Sequence, residues 1–416
     1  MEDVSREEIG GTLLGMGRHF PSSGGVRGIF LIWFSVGAAI LFSWTFLFEE
    51  GWAIEQEAES ADREVRALRE ALRDVIKIVP LAEESKSDFV IMPIPIANPT
   101  IGAGLGAAAM FLYPVDSRSP VSSTTVGGFY TNNDSWAAGV NQKTFLAGDQ
   151  FRLNGLFGYG NINLDFYGIG ADAGNRGTSI PITEKGVFLM PEMLTRVWDR
   201  LYGGLRYRFI QMETRFDLSQ LLQNNINFEP TPVTVKSSGI GLLINYDSRD
   251  NPYNPYKGTF LDASATFAAK AFGGDSDYQL YQIAYNYYYR LADRMVLAYR
   301  AFGKLAAGDV PLFDLSFFGV HNDLRGYPGG RYVDKMMFAT QVEYRWNFWK
   351  RWGMVAFAGV GEVAPKLDEL NTRDLLPSAG AGLRFMVSEK NRVNISVDYA
   401  RGKEGDAVYF YIGESF

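Results

Sequence analysis

The sequence predicts an all-β protein: a sixteen-stranded antiparallel transmembrane β-barrel preceded by a short N-terminal helical segment. Three observations predict it. From about Ser87 to Phe416, apolar and polar residues alternate with a period of two. The chain holds 45 Gly, 30 Phe, 22 Tyr and 8 Trp, has no Cys, and has a mean hydropathy of only −0.08 although 47% of it is hydrophobic. Its connectors sort into long ones and short ones on opposite sides, the pattern of barrels with long loops at one mouth and tight turns at the other. Composition alone fits a large soluble β protein equally well. Alternation in long, aromatic-ended strands is what favours a polar lumen and a lipid-facing exterior.

The same composition removes several function classes. Forty Lys and Arg against 47 Asp and Glu give a net charge of −7, which is no footprint for nucleic acid. Without Cys, and with only His19 and His321, disulfide frameworks, thiolate chemistry and multi-His metal sites drop out. No Ser/His/Asp set, phosphate loop or paired-carboxylate motif stands out. The expectation is therefore a protein that is not an enzyme and has no cofactor or metal.

The chain divides in three. Residues 1–53 contain an uncharged apolar run, Ile29–Phe48, preceded by Arg18, His19 and Arg27 and followed by Gly51-Trp52-Ala53. This reads as an export signal with a small-x-small cleavage site and a mature start near Ile54. The run is also long enough to span a bilayer as an uncleaved anchor helix. Met16 is a candidate initiator. In residues 54–86, Val65, Leu68, Leu72, Val75, Ile76 and Val79 recur at helical spacing up to Pro80. That segment is an amphipathic helix or a partly ordered tether.

Residues 87–416 form the barrel. The expected strands are 88–96, 101–113, 119–131, 135–146, 150–167, 183–196, 200–216, 235–247, 258–270, 277–291, 294–306, 335–348, 352–363, 378–387, 391–401 and 407–416. Pro93 and Pro95 demote the first to an edge strand or a loop. Gln341, Glu343, Arg345 and Asn347 alternate with Val342, Tyr344, Trp346 and Phe348. Asn394, Ser396 and Asp398 alternate with Val393, Ile395, Val397 and Tyr399, and Tyr281 to Leu291 carries another apolar face. The long connectors 168–182, 217–234, 307–334 and 364–377 fall on one side, and both chain ends fall on the other. With an even strand number, that other side is the periplasm.

Four stretches resemble the bacterial surface antigen family, the barrels of BamA/TamA-type assembly factors and two-partner secretion transporters. Tyr246-Asp-Ser-Arg-Asp-Asn-Pro-Tyr-Asn-Pro-Tyr-Lys-Gly258 is similar to the family's D-x-R-D-x-P-x-x-P-x-x-G turn, here Asp247, Arg249, Asp250, Pro255 and Gly258. Leu324-Arg-Gly-Tyr-Pro-Gly-Gly330 resembles the tip of the long loop that folds back into the barrel. Phe166-Tyr-Gly-Ile-Gly170 is a third family phrase, and the aromatic end at Phe416 resembles an outer-membrane insertion signal. Two departures stand out. On this reading the periplasmic polypeptide-transport-associated domains are expected to be absent, with the 54–86 tether in their place, and the family's F-x-D-x-G strand reads Phe357-Ala-Gly359-Val-Gly361, without the acid.

The loop tip carries the sharpest expectation. Arg325, flanked by Leu324, Gly326 and Tyr327, should descend into the lumen and pair bidentately with Glu343, with Asp398 as second partner. Phe313, Leu315, Phe317 and Phe318 should bury part of the loop. Such a pair either only pins the loop or also breaks during gating. For Asp247, Arg249 and Asp250, turn chemistry outweighs a cation or phosphate site. Arg206, Arg208, Arg345 and Arg384 either select anions or are balanced by neighbouring acids. His321 reads as a loop hydrogen-bonder.

The resemblance implies an outer-membrane protein acting in insertion or passage of polypeptide or lipid through a weak seam between first and last strands. Outer-membrane lipid is the expected surrounding, with a polypeptide substrate or a separate periplasmic partner left open. A gated or passive solute channel and a barrel anchor for a partner are the alternatives.

Overall fold

In the computed structural model, the described residues are 87–416 except 99, 218–230, 320–322, 372 and 404. The run 29–48, the Gly51-x-Ala53 site, the 54–86 helix or tether, His19 and His321 lie outside them. The described residues form one unit.

Strands β1 (Asp88–Asn98), β2 (Gly102–Tyr113), β3 (Ser122–Thr131), β4 (Trp136–Leu146) and β5 (Phe151–Phe166) come first. A short helix, α1 (Ala171–Arg176), precedes β6 (Ile180–Trp198), β7 (Leu201–Phe216), β8 (Val233–Asp247), β9 (Gly258–Ala268), β10 (Tyr278–Ala292) and β11 (Met295–Gly308). The long connector that follows carries β12 (Ser316–Phe317) and β13 (Val333–Asp334). Then come β14 (Met336–Trp349), β15 (Trp352–Ala364), β16 (Leu376–Ser388), β17 (Val393–Gly402) and β18 (Gly405–Ile412).

Sixteen of these strands make a single antiparallel barrel sheet in which chain neighbours are sheet neighbours. β11 pairs β14 directly, because β12 and β13 form a separate two-stranded ribbon. β18 returns to β1 through one register pair, Ala97↔Val408.

The two faces of the wall invert the habit of a soluble protein. On β10, Tyr281, Ile283, Tyr285, Tyr287, Tyr289 and Leu291 are exposed, while Ala284, Asn286 and Tyr288 are buried. On β14, Gln341, Glu343 and Arg345 are buried and Val342, Trp346 and Phe348 exposed. Charges inside and aromatics outside suit a wall whose outer solvent is hydrocarbon. The apolar core sits within the lumen, where Phe318, Leu324, Tyr327 and Tyr332 from the long connector pack on Phe302 and Met337 of the wall.

Three expectations need correction. Of the two readings of the first strand, the loop is corrected and the edge strand stands: β1 pairs with β2 from Asp88 to Asn98 despite Pro93 and Pro95, and with β18 at one position. A proline lacks only its N–H, and a strand with one full ladder tolerates that loss. The ribbon and α1 were not expected, since two-residue strands and a six-residue helix carry no periodicity. β18 ends at Ile412 rather than Phe416. Beyond it, the Gly413 N–H donates to the Asn394 carbonyl and the Ser396 hydroxyl donates to the Gly413 carbonyl, turning the last residues inward.

Candidate functional site

The connector between β11 and β14 is tied into the lumen at three levels. Its first turn is held at Asp314, whose carboxylate meets the Arg208 guanidinium and the Tyr278 hydroxyl. Its ribbon is held at Val333, whose carbonyl accepts from the Gly170 N–H at 2.8 Å. This is where the Phe166–Gly170 phrase ends. The Gly174 backbone of α1 lies so close to Arg331 and Tyr332 that a Cβ there would stand 2.6 Å from the Arg331 carbonyl oxygen.

The tip is the third level. Leu324, Arg325 and Tyr327 are fully buried, at 0% exposure. Gly326 adopts φ +100°, and a Cβ on it would stand 2.7 Å from the Gly402 nitrogen, so both backbone and space require glycine. Its N–H donates to the Tyr409 hydroxyl at 2.9 Å. The Tyr327 hydroxyl donates to the Pro377 carbonyl and accepts from the Lys403 N–H.

Arg325 divides its guanidinium between two acids. Nη2 stands 2.7 Å from Glu343 Oε2, and Nη1 stands 2.5 Å from Asp398 Oδ2. Of the expected partners, Glu343 first and Asp398 second, each takes one Nη atom, so the guanidinium bridges two carboxylates instead of meeting one bidentately. Nη1 donates to Asp398, and Nε donates to Gln341 Oε1 at 3.4 Å. The guanidinium carbon lies 3.3 Å from the centroid of the Phe357 ring.

Each acid has a second cation. Arg345 Nε is 2.8 Å from Glu343 Oε1, and Arg384 Nη1 is 2.5 Å from Asp398 Oδ1. Arg384 Nε is also 2.9 Å from Glu414 Oε2, and the Tyr411 hydroxyl donates to Asp398 at 2.6 Å. Arg325, Arg345 and Arg384 thus face Glu343, Asp398 and Glu414 with no net formal charge. Alternation neutralises a cluster that would otherwise cost several kcal/mol per desolvated ion.

The missing acid of the F-x-D-x-G pattern has a spatial explanation. A Cβ at Gly359 would stand 2.7 Å from the Gln341 side chain and 3.0 Å from Leu324 Cδ1. The loop tip fills that space, and Glu343 and Asp398 supply the charge.

Phe416 does not share a lipid face with Phe410 and Ile412. Its ring packs beside Tyr288 and Val296 inside the barrel, 5.6 Å from the Arg345 guanidinium carbon, and its carbonyl oxygen accepts from Arg345 Nη2 at 2.9 Å. Glu414 was the sequence signal for this. A strand running to Phe416 would have set that carboxylate on the lipid face, so the strand had to end earlier. Arg384, Tyr411 and Phe357 gave no comparable signal as Arg325 neighbours.

The turn motif lies at the short-turn mouth. Asp247 is gripped by Arg249 through both oxygens, each at 2.9 Å, and by Arg152 at 3.2 Å. Asp250 accepts the backbone N–H groups of Tyr256 and Lys257 and pairs with Arg392 at 2.7 Å. Partial burial pushes its carboxyl up, but Arg392 and the two N–H groups outweigh that and hold it below the usual range. Pro255 is buried, and Gly258 starts β9. Among the described residues no acidic or His cluster forms a metal site. Arg206 pairs with Glu192 at 2.6 Å and Arg208 with Asp314, so Arg206, Arg208, Arg345 and Arg384 each face an acid.

An antiparallel wall, apolar outside and charged within, with its longest described loop locked inside by a buried arginine, defines a membrane β-barrel with an internal plug segment. The Omp85 superfamily domain matches residues 130–416, and the chain belongs to that superfamily of outer-membrane β-barrels. It is 29% identical over 157 residues to the outer membrane protein assembly factor BamA of Nitratidesulfovibrio vulgaris, covering 33% of this chain and 20% of that protein. The fold is similar to that of CdiB from Escherichia coli, with a TM-score of 0.52 at 12% identity, covering 79% of this chain and 63% of CdiB. The chain thus spans about a fifth of the curated relative it matches.

Proposed function

We propose that this protein works in the outer membrane in the insertion or passage of a polypeptide or lipid, and that the opening is the seam between β1 and β18. The observation that carries this reading is the imbalance of the wall. Among the described residues, every other neighbouring strand pair is in register over at least eight residues, the shortest being β3–β4 and β17–β18, whereas the seam has one pair. An edge so weakly paired leaves backbone donors and acceptors available to an incoming strand. In this reading the resting wall is a closed sixteen-stranded barrel. The short-turn mouth faces the periplasm, the N-terminal segment lies there after export, and Phe416 belongs to a C-terminal insertion signal. The Arg325 network keeps the plug in place while the seam works. A lumen filled at the level of Arg325 speaks against a passive solute channel.

The chain has no Cys, so one engineered pair tests the seam without background. Ala97→Cys with Val408→Cys is reconstituted in liposomes, and folding of a urea-unfolded eight-stranded barrel polypeptide is followed. The expected result is acceleration by the reduced protein, lost on oxidation and restored by reductant. Equal acceleration by both forms would overturn the reading.

A further inference from the structure

The connector between β8 and β9 is unlike most of its neighbours at the short-turn mouth. Asp199–Arg200, Asp293–Arg294 and Lys350–Arg351 are two-residue turns, whereas ten residues, Ser248 to Lys257, separate β8 from β9. β8 and β9 also sit opposite the seam, with six strands between β1 and β8 and six between β9 and β18 in the sheet order.

The side chains of this connector nonetheless reach both flanks of the seam. On one side, the Tyr253 hydroxyl donates to the Val121 carbonyl, in the turn between β2 and β3, at 2.9 Å. On the other, Asn251 Nδ2 donates to the Asn391 carbonyl, in the turn between β16 and β17, at 3.3 Å. Beside it, Asp250 pairs with Arg392 at 2.7 Å, and the Arg392 guanidinium carbon lies 4.5 Å from the Tyr256 ring centroid. Asn254 is 2% exposed, so the connector is packed against the mouth rather than standing free in solvent.

Asn391 links this connector to the seam itself. Its carbonyl holds Asn251, and its side chain donates to the Asp88 carboxylate at 3.0 Å. Asp88 is the first residue of β1 and also accepts from the Ser388 hydroxyl. The seam is therefore held at two ends by different means: the backbone pair Ala97↔Val408 at the long-loop end, and the Asp88 clasp on the β16–β17 turn at the short-turn end.

We propose that the β8–β9 connector is a strap that holds the Asp88 clasp and both flanks of the seam together, so that displacing it from the mouth clears the lumen entrance and releases the seam in one movement. A polypeptide entering from that mouth meets the strap first. Its arrival thereby becomes the event that frees β1 from the β16–β17 turn. This rests on the seam reading above and adds what controls it.

Two measurements test the strap. In the Ala97→Cys, Val408→Cys background, Asn251→Ala with Tyr253→Phe should lower the rate of seam disulfide formation several-fold. In a chain without seam cysteines, Asp250→Cys with Arg392→Cys is folded in liposomes and then bridged by a short bismaleimide. Bridging should abolish acceleration of barrel-polypeptide folding. If the bridged strap still accelerates folding while the oxidised seam does not, the strap proposal is overturned and the seam reading stands. If neither linkage slows folding, both fail. An unchanged seam disulfide rate in the strap variant also counts against the strap.

Discussion

Arg325 has no freedom that its surroundings do not specify. Its two Nη atoms are committed to Glu343 and Asp398, its face to Phe357, and its carbonyl to the Ser378 hydroxyl. Removing one side of a buried ion pair typically costs about 3–5 kcal/mol. Arg325→Ala should fall at the lower end of that range, since Arg345 remains on Glu343 and Arg384 on Asp398. Glu343→Ala should cost a comparable amount, and the double variant should be little worse than either single one. Protease protection of the loop and urea unfolding of the folded barrel check this, and strictly additive losses would contradict it. Arg325→Lys should behave closer to Arg325→Ala than to the parent, because a point charge cannot bridge two carboxylates and stack on a ring.

The last strand shows how an element is decided by what it meets. β18 runs from Gly405 to Ile412 and pairs β17 along that length, with Tyr409 and Tyr411 inside. Residues 413–416 then leave the wall, and Glu414 and Phe416 join the lumen network through Arg384 and Arg345. Truncating the Phe416 ring removes a partly desolvated aromatic contact with Arg345 and Arg300, a loss of about 1–2 kcal/mol. We expect Phe416→Ala to lower the unfolding midpoint in urea accordingly, with Phe416→Tyr near parent. A midpoint unchanged by Phe416→Ala would return the ring to the lipid side.

At the scale of the molecule, the wall separates two solvents. Tyr285 lies midway along β10 on the outer face, and Gln282 on the inner one. An arginine on the lipid face near the bilayer midplane costs about 2–4 kcal/mol, whereas the lumen tolerates charge. Tyr285→Arg should therefore destabilise the barrel in liposomes by that amount, and Gln282→Arg by less than about 1 kcal/mol. Reversible unfolding in urea, read by heat-modifiable mobility, distinguishes the two. Equal costs would mean that β10 does not divide lipid from lumen.

Period-two alternation is a local property. The sequence alone therefore located the wall strands to within a few residues, put Tyr281 to Leu291 outside, and put Glu343 and Asp398 inside with Arg325 as their candidate partner. It determined the faces because a strand has only two, and one buried charge marks which is which. What only the tertiary structure decided is who meets whom across the lumen. Whether Arg325 reaches one acid or two depends on the stagger of β14 against β17 and on the depth of the loop, neither of which is written in any one strand. The inward turn after Ile412, the filling of the space above Gly359 by Leu324, and the reach of Asn251 and Tyr253 to both flanks of the seam are of the same kind. They join residues about 17 to 140 positions apart, through geometry that exists only once the sheet has curled and its loops have folded into it.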